Sequence, residues 1–398
     1  MFLKRISFLF AISLLVFVVD SQSQTTSVLT AGLDHPNKLV NAANNSMLVA
    51  ESGTMTANTG RISLVDALTG HRRTLIGGLP SGVSNLGGDL APDGTTGILL
   101  RGNVLYVVNG VGDACINVGP GLESPNPAGA SSPIFDSIIE ITLPGAYTKL
   151  RSGFLLSLAD QNALASGDPV VLTNAEGRSA VARLVANLPD YRPEPRPTAP
   201  NNVRASHLFG VEMFQGDLYV VDAGWNLIHK VNISTGSESI FATFPNRPNP
   251  RFPTIGGPFI ESVPDAVHRV GNTLVVPLLT GFPFVPGVSE IRSIDLKTGT
   301  NEGLIPNLTS AIDVIQAGTS SVSLKEFAAV DESAYYTLEF STNMLAGALG
   351  RLRYYSDPTS TPIDLVNTLV TPTSFVRNDE TGEIFITNIG PGTITKVH

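Results

Sequence analysis

Leu218-Tyr219-Val220-Val221-Asp222-Ala223-Gly224 is a β-rich run that ends on a carboxylate and a turn residue. The same pattern returns as Met47-Leu48-Val49-Ala50-Glu51-Ser52-Gly53 and as Leu105-Tyr106-Val107-Val108-Asn109-Gly110. Later copies are Leu274-Val275-Val276-Pro277-Leu278-Leu279-Thr280-Gly281, Tyr335-Tyr336-Thr337-Leu338-Glu339 and Ile384-Phe385-Ile386-Thr387-Asn388-Ile389-Gly390. The polar residues closing these six copies lie 58, 113, 58, 59 and 49 residues apart, from Glu51 through to Asn388. Self-similarity at such a period is the mark of a repeat architecture.

Each copy has companions. Upstream lies a run fit for an innermost strand, as in Gly97-Ile98-Leu99-Leu100 or Ile312-Asp313-Val314-Ile315; downstream lies a third, as in Ile228-His229-Lys230-Val231 or Gly350-Arg351-Leu352-Arg353-Tyr354. Several are followed by a turn and a fourth strand, as where Ser234-Thr235-Gly236 leads into Ile240-Phe241-Ala242. Four antiparallel strands per repeat predict an all-β fold, a six-bladed β-propeller. The chain ends after a third strand, at Val397-His398, and Thr26-Ser27-Val28-Leu29-Thr30 precedes the first copy without another partner. That N-terminal strand is expected to complete the last blade and remove a sheet edge. The double gap after Asn109 is read as an insertion at about 143–205, between the second and third blades, with a helix over Ser157–Leu164 and an added hairpin. A single domain over 24–398 follows.

Residues 1–23 read as a signal peptide: Lys4 and Arg5, an apolar run from Phe8 to Val19 too short to span a bilayer, then Ser21 and Ser23 before a cut near Ser23–Gln24. The expected location is therefore secreted or periplasmic. Loss of Lys4, Arg5 and Asp20 moves the net charge from −9 to about −10. An acidic chain without a Lys/Arg cluster argues against nucleic acid as a partner. No membrane span is expected, and the chain is read as a monomer. High Gly and Pro, 38 and 28 residues, suit short strands joined by turns. Cys115 is the only cysteine, which excludes an intramolecular disulfide and makes a poor case for a nucleophile, since it sits in a Gly-rich loop with no base nearby.

The ends of the second strands and the starts of the first strands should share one face of the disc. Glu51, Asn109, Asp222, Thr280, Glu339 and Asn388 would then form a ring, joined by His35, His207, Asp265, Asp313 and Thr373. Oxygen ligands of this type suit Ca²⁺ or Mg²⁺, with Glu51, Asn109, Asp222 and Glu339 as the metal set. The alternative is acid–base chemistry, with Glu51, Asp222, Glu339 and His207 as candidate catalytic residues. Strand-ending Asp and Asn also bond local backbone N–H groups, which by itself accounts for several of these positions. The loop Leu279-Thr280-Gly281-Phe282-Pro283-Phe284 places two Phe at the same face, so Thr280, Phe282, Phe284 and Asn388 are candidate ligand contacts. Pro193-Glu194-Pro195-Arg196-Pro197 reads as an extended surface strap. Sequons at Asn44, Asn232 and Asn307 are near chance frequency.

On Ala186-Asn187-Leu188-Pro189-Asp190-Tyr191, Asp222-Ala223-Gly224-Trp225-Asn226, Leu279-Thr280-Gly281-Phe282-Pro283-Phe284 and Glu339-Phe340-Ser341-Thr342-Asn343-Met344-Leu345, the chain resembles the ScyD/ScyE family, propeller proteins named for a scytonemin pigment locus. The resemblance runs along nearly all of the chain after the leader. It is similar, more broadly, to NHL-repeat and gluconolactonase-like six-bladed propellers. Ser206-His207 stands where the family has Asn-Pro, and Pro264-Asp265 where Pro-Thr is more common. The resemblance implies the fold and leaves activity open. Two functions follow as expectations: a binding module that takes a small molecule, carbohydrate or protein on the loop face, or a Ca²⁺- or Mg²⁺-dependent hydrolase or lyase acting on a small ester or lactone.

Overall fold

The computed structural model describes residues 24–317, 333–378 and 381–398. The expected leader, residues 1–23, lies outside them. The decisive sequence runs are buried second strands, each clasped between two antiparallel neighbours. Ser46–Glu51 lies between Pro36–Ala42 and Gly60–Asp66, and Val104–Asn109 between Ala91–Arg101 and Ser137–Thr142. Asp217–Asp222 lies between Leu208–Phe214 and Leu227–Asn232, and Thr273–Leu278 between His268–Val270 and Ser289–Asp295. Tyr335–Glu339 and Ile384–Asn388 repeat the plan with Ala311–Gln316 and Gly350–Tyr355, and with Pro372–Arg377 and Thr393–Val397. We number these sheets first to sixth in chain order.

These strands are apolar on both faces because each sheet is packed on both sides. In the third sheet Leu218 and Val220 join a cluster with Val108 and Ile138 of the second, while Tyr219 and Val221 join one with Leu274 and Val276 of the fourth. The series closes on itself: Met47 and Val49 of the first sheet pack with Phe385 and Ile394 of the sixth. Innermost strands of successive sheets lie side by side around a common axis, the sixth next to the first. This is a propeller arrangement. Close approach at the axis explains two glycines. A Cβ on Gly97 would sit 1.9 Å from the Phe209 carbonyl oxygen, and one on Gly210 2.9 Å from the Ala266 Cα.

The N-terminal strand occupies its expected place. Thr26–Ala31 pairs antiparallel with Thr393–Val397, Ser27 opposite Lys396, and the Ser27 hydroxyl meets the His398 ring at 2.7 Å. Two differences from the sequence reading stand out. The segment expected as an insertion between repeats is built into the sheets instead. Ser179–Asn187 pairs with Ser137–Thr142 as the fourth strand of the second sheet, and Val170–Thr173 adds a fifth. Phe154–Leu155 runs parallel to Arg72–Leu79 at the rim of the first sheet. The helix Leu158–Ala165 is present, started by a capping box in which Ser157 accepts from the Asp160 N–H and Asp160 accepts from that of Ser157. The expected Pro-rich strap starts as an edge strand, Tyr191–Pro193, of a small extra sheet with Val203–Ala205, Leu122–Pro125 and Cys115–Gly119.

A feature that sequence periodicity does not reveal recurs at the axis. The ladder between first and second strands skips one residue near its start in the first, second, third, fifth and sixth sheets. The fourth sheet does the same between its Pro264–Leu278 bridge and the His268–Val275 pair. Such bulges bend the strand and re-aim a side chain. The skipped position is Asn37, Thr96, Ile312 or Thr373 in the first, second, fifth and sixth sheets. In the third and fourth the unpaired stretches are residues 209–210 and 265–267, in which Phe209 and Asp265 take the matching place.

If closure of the series by residues 26–31 matters as the packing implies, removing residues 24–31 strips the sixth sheet of its outer strand and leaves Thr393–Val397 as an unpaired edge. Urea denaturation of the truncated chain is expected to show a loss well beyond the ~1 kcal/mol of a typical point substitution. An unchanged midpoint contradicts that role.

Candidate functional site

The bulged positions decide where a ligand can sit. Asn37, Thr96, Phe209, Asp265, Ile312 and Thr373 all line one cavity of about 780 Å³ at the face where first strands begin. Its wall includes Phe282, which is 54% exposed, with Leu279, Val263 and Met344, and its rim carries Glu123, Glu194, Arg196, Arg204 and Glu261 from the loops. Further along the axis the same inner strands line a second cavity of about 620 Å³, with Lys38, Arg101, Glu212 and His268 among its residues.

The carboxylates expected to form a metal ring do something else. Glu51 is fully buried and accepts from the Asp34 N–H at 2.6 Å and the Arg61 guanidinium at 2.7 Å, with the Ser63 hydroxyl on its other oxygen. Glu339 is held by Arg351 through two bonds of 3.0 Å and accepts from the Thr309 N–H at 3.0 Å. Asp222 accepts from the N–H groups of His207 at 3.0 Å and Trp225 at 2.9 Å, and from the Ser206 hydroxyl at 2.9 Å. In each case the acid ties the chain entering the first strand to its own second strand and to a base on the third: Arg61 for Glu51, Arg351 for Glu339, and His229, at 3.3 Å, for Asp222. Asn109 bonds Ser137, and Asn388 bonds Thr393 and Thr395, again on third strands. Among the described residues, no three His, Cys, Asp or Glu side chains are grouped to hold a metal ion. The expected metal set of Glu51, Asn109, Asp222 and Glu339 is thus spent inside the individual sheets, because a strand-end acid finds N–H and guanidinium partners nearer than a shared ion.

Thr280 is not a member of that ring. Leu278 pairs with Glu290 as Glu51 pairs with Arg61, so Leu278 is the equivalent residue and Thr280 lies two positions beyond it. The Thr280 hydroxyl is buried without a hydrogen-bond partner. Neither Thr280, Asn388 nor Phe284 lines the cavity, whereas Phe282 does, packed edge-on against Phe284 with ring centres 6.1 Å apart. His35 has a left-handed φ of 53° and serves a turn, its carbonyl accepting from the Ser52 N–H at 3.0 Å.

His207 and Asp265 do reach the cavity. The His207 Nε2 lies 3.1 Å from Asp93, a residue that strand-end reasoning missed because it precedes the repeat pattern. Burial alone would lower the imidazole, but Asp93, with Asp222 and Asp265 adding to it, lifts it to about 9. Asp265 is 5% exposed, one carboxyl oxygen has no partner, and burial pushes it up to about 8 against the opposing pull of His207. Asp313 lies in the gap between the two cavities. It accepts from the Lys38 ammonium at 2.9 Å, meets His268 at 2.6 Å, and accepts from the Ser374 hydroxyl at 2.8 Å. Burial opposes its ionisation, yet Lys38 and His268 hold it well below the usual carboxylate range. Cys115 is buried among Val111, Phe135 and Val203, and burial pushes its thiol up to about 12, which suits packing and not nucleophilic attack.

No protein-family model matches the chain, and no curated protein matches it in sequence. Solved structures similar in shape include the PQQ-bound form of aldose sugar dehydrogenase from Streptomyces coelicolor, at 13% identity, 94% of this chain, 98% of that one and a TM-score of 0.47. An auxiliary nutrient binding protein from Bacteroides thetaiotaomicron overlaps at 11% identity, 92% of this chain, 69% of that one and a TM-score of 0.45. A nidogen/laminin complex overlaps at 9% identity, 86% of this chain, 85% of the other and a TM-score of 0.42. At these identities no residue correspondence follows.

The strand-end acids should behave as structural groups. Glu51→Gln, which removes the buried carboxylate facing Arg61 and Arg72 and leaves Arg61 only its more exposed Asp34 partner, is expected to cost about 2–4 kcal/mol in chemical denaturation. Thr280→Val, which removes an unpartnered buried hydroxyl, is expected to be neutral or mildly stabilising. The reverse order of effects contradicts these roles.

Proposed function

We propose that this chain is an exported six-bladed propeller of the ScyD/ScyE type and that it works as a small-molecule binding module through its loop-face cavity. The observation that carries the reading is the convergence of the bulged first-strand residues on a concavity of about 780 Å³, within the size range of small-ligand sites. Its lining mixes an apolar wall, with Phe209, Phe282 and Leu279, with a few buried polar groups that can orient a ligand. The competing reading, a metal-dependent hydrolase of a small ester or lactone, loses its supposed ligands to the ion pairs of Glu51 and Glu339.

Titration calorimetry with a neutral aryl glycoside, 4-nitrophenyl glucoside, tests the reading. Saturable binding is expected, weakened about tenfold by Phe282→Ala with no change in melting temperature. Binding untouched by that substitution places the ligand elsewhere. Melting temperature should be indifferent to millimolar Ca²⁺ and Mg²⁺. A metal-dependent rise abolished by Glu51→Gln would restore the hydrolase reading, since an ion bound only by the folded state must stabilise it.

A further inference from the structure

The cavity's charge is unbalanced. Asp89, Asp93, Glu123, Glu194, Glu261 and Asp265 line it, against Arg196, Arg204 and His207. Each of the three bases already faces an acid: Arg196 meets Glu194 at 2.7 Å, Arg204 meets Glu261 at 2.9 Å through one Nη while its other Nη is buried without a partner, and His207 meets Asp93 at 3.1 Å. Asp265 differs from the other acids. It occupies the bulged position where the neighbouring sheets carry Phe209 and Ile312, it is more than nine-tenths buried, and one of its oxygens has no partner. A buried, unpartnered carboxyl group is costly unless something completes it.

We propose that the cavity takes a small organic cation, a primary ammonium carried on an apolar or aromatic body, with the ammonium seated at Asp265. This rests on the reading of the loop-face cavity as the ligand site. An ammonium brings three N–H donors and a positive charge that stabilises the ionised carboxylate. Phe209 and Phe282 in the same lining are aromatic residues of the kind that attract cations, and they supply apolar wall for the body of the ligand. The neighbouring acids Asp93, Asp222 and Asp265 likewise raise the half-buried His207, so the same set of carboxylates favours positive charge at this wall.

The pH dependence has a definite sign. Unliganded Asp265 holds its proton up to about 8, whereas an ammonium binds its ionised form, so affinity rises with pH and levels off above that value. The charged groups around Asp265 do not reverse this. His207, on the preceding sheet with Asp93 and Asp222 beside it, stays protonated to about 9. Asp313, on the following sheet, is ionised throughout and bound to Lys38 and His268. An alkylammonium, like that of lysine at ~10.4, remains charged over the same window.

Calorimetry with phenethylamine and its neutral counterpart 2-phenylethanol, at pH 6 and pH 8, provides the test. The amine should bind in preference to the alcohol at pH 8, and its affinity should rise about tenfold or more from pH 6 to pH 8. The alcohol's affinity should not rise. Asp265→Asn, which keeps the shape, should remove the pH dependence and most of the preference for the amine. Equal binding of amine and alcohol by the unmodified protein, or a flat pH profile for the amine, overturns the proposal. If 4-nitrophenyl glucoside still binds in either of those cases, the cavity reading survives and the cation falls alone. If no probe binds at millimolar concentration, both fall.

Discussion

One carboxylate joins the centre of the molecule. Asp313 stands on the innermost strand of the fifth sheet and takes hydrogen bonds from Lys38 of the first, and from Ser374 and the Phe375 N–H of the sixth, while His268 of the fourth meets its other oxygen. Three other sheets therefore lean on one side chain with no solvent exposure. A lone buried carboxylate would be expensive, and a lone buried ammonium equally so. Together, with the remaining lone pairs satisfied, they offset the desolvation and also fix the inner strands to one another. The layer has room for this because Gly97, Gly210 and Ala266 take the corresponding places on the second, third and fourth sheets.

That central tie separates the axis into two cavities of different character. On the loop side the bulged residues bring Asp265 and Phe209 to the cavity, with His207 just before the bulge of the third sheet. The strand-end acids lie just outside this layer and are consumed by local donors, so the sheets are stitched at their tips and at the axis by separate sets of charges. The division matters for function. Groups satisfied within a sheet are not available to a ligand, and among the described residues the carboxylate with an oxygen left without a partner at the cavity is Asp265, not Glu51 or Glu339.

Much of the fold was legible in the sequence because each second strand is packed on both faces and so reads as an unbroken apolar run, as in Leu218–Val221. The N-terminal strand, from its missing partner, and the helix near residue 160 were equally readable. Register was not. Thr280 looks like a strand-ending polar residue, but the bridge from Pro264 to Leu278 puts it two residues too far along. The hairpin of Val170–Thr173 with Ser179–Asn187 is legible, but its place in the second sheet is not, because some forty residues separate Ser179–Asn187 from its partner Ser137–Thr142. The site was less legible still. A bulge of one residue leaves no mark on a pattern of period two that is already apolar on both faces, so Asp265 could be placed at the right face but not singled out. Asp93 carried no repeat signal at all, and Lys38 of the central tie stands just before the short run Leu39-Val40, a charged residue that no strand pattern singles out.

The most direct measurement of the central tie is a double-mutant cycle on Lys38→Met and Asp313→Asn by urea denaturation. If the buried pair links the sheets as its geometry indicates, each single substitution strands a charge or its donors and costs about 3 kcal/mol or more, while the double variant recovers a large part of that loss, a coupling above about 1.5 kcal/mol. Additive losses, with coupling near zero, would contradict a structure held together at its axis by Asp313.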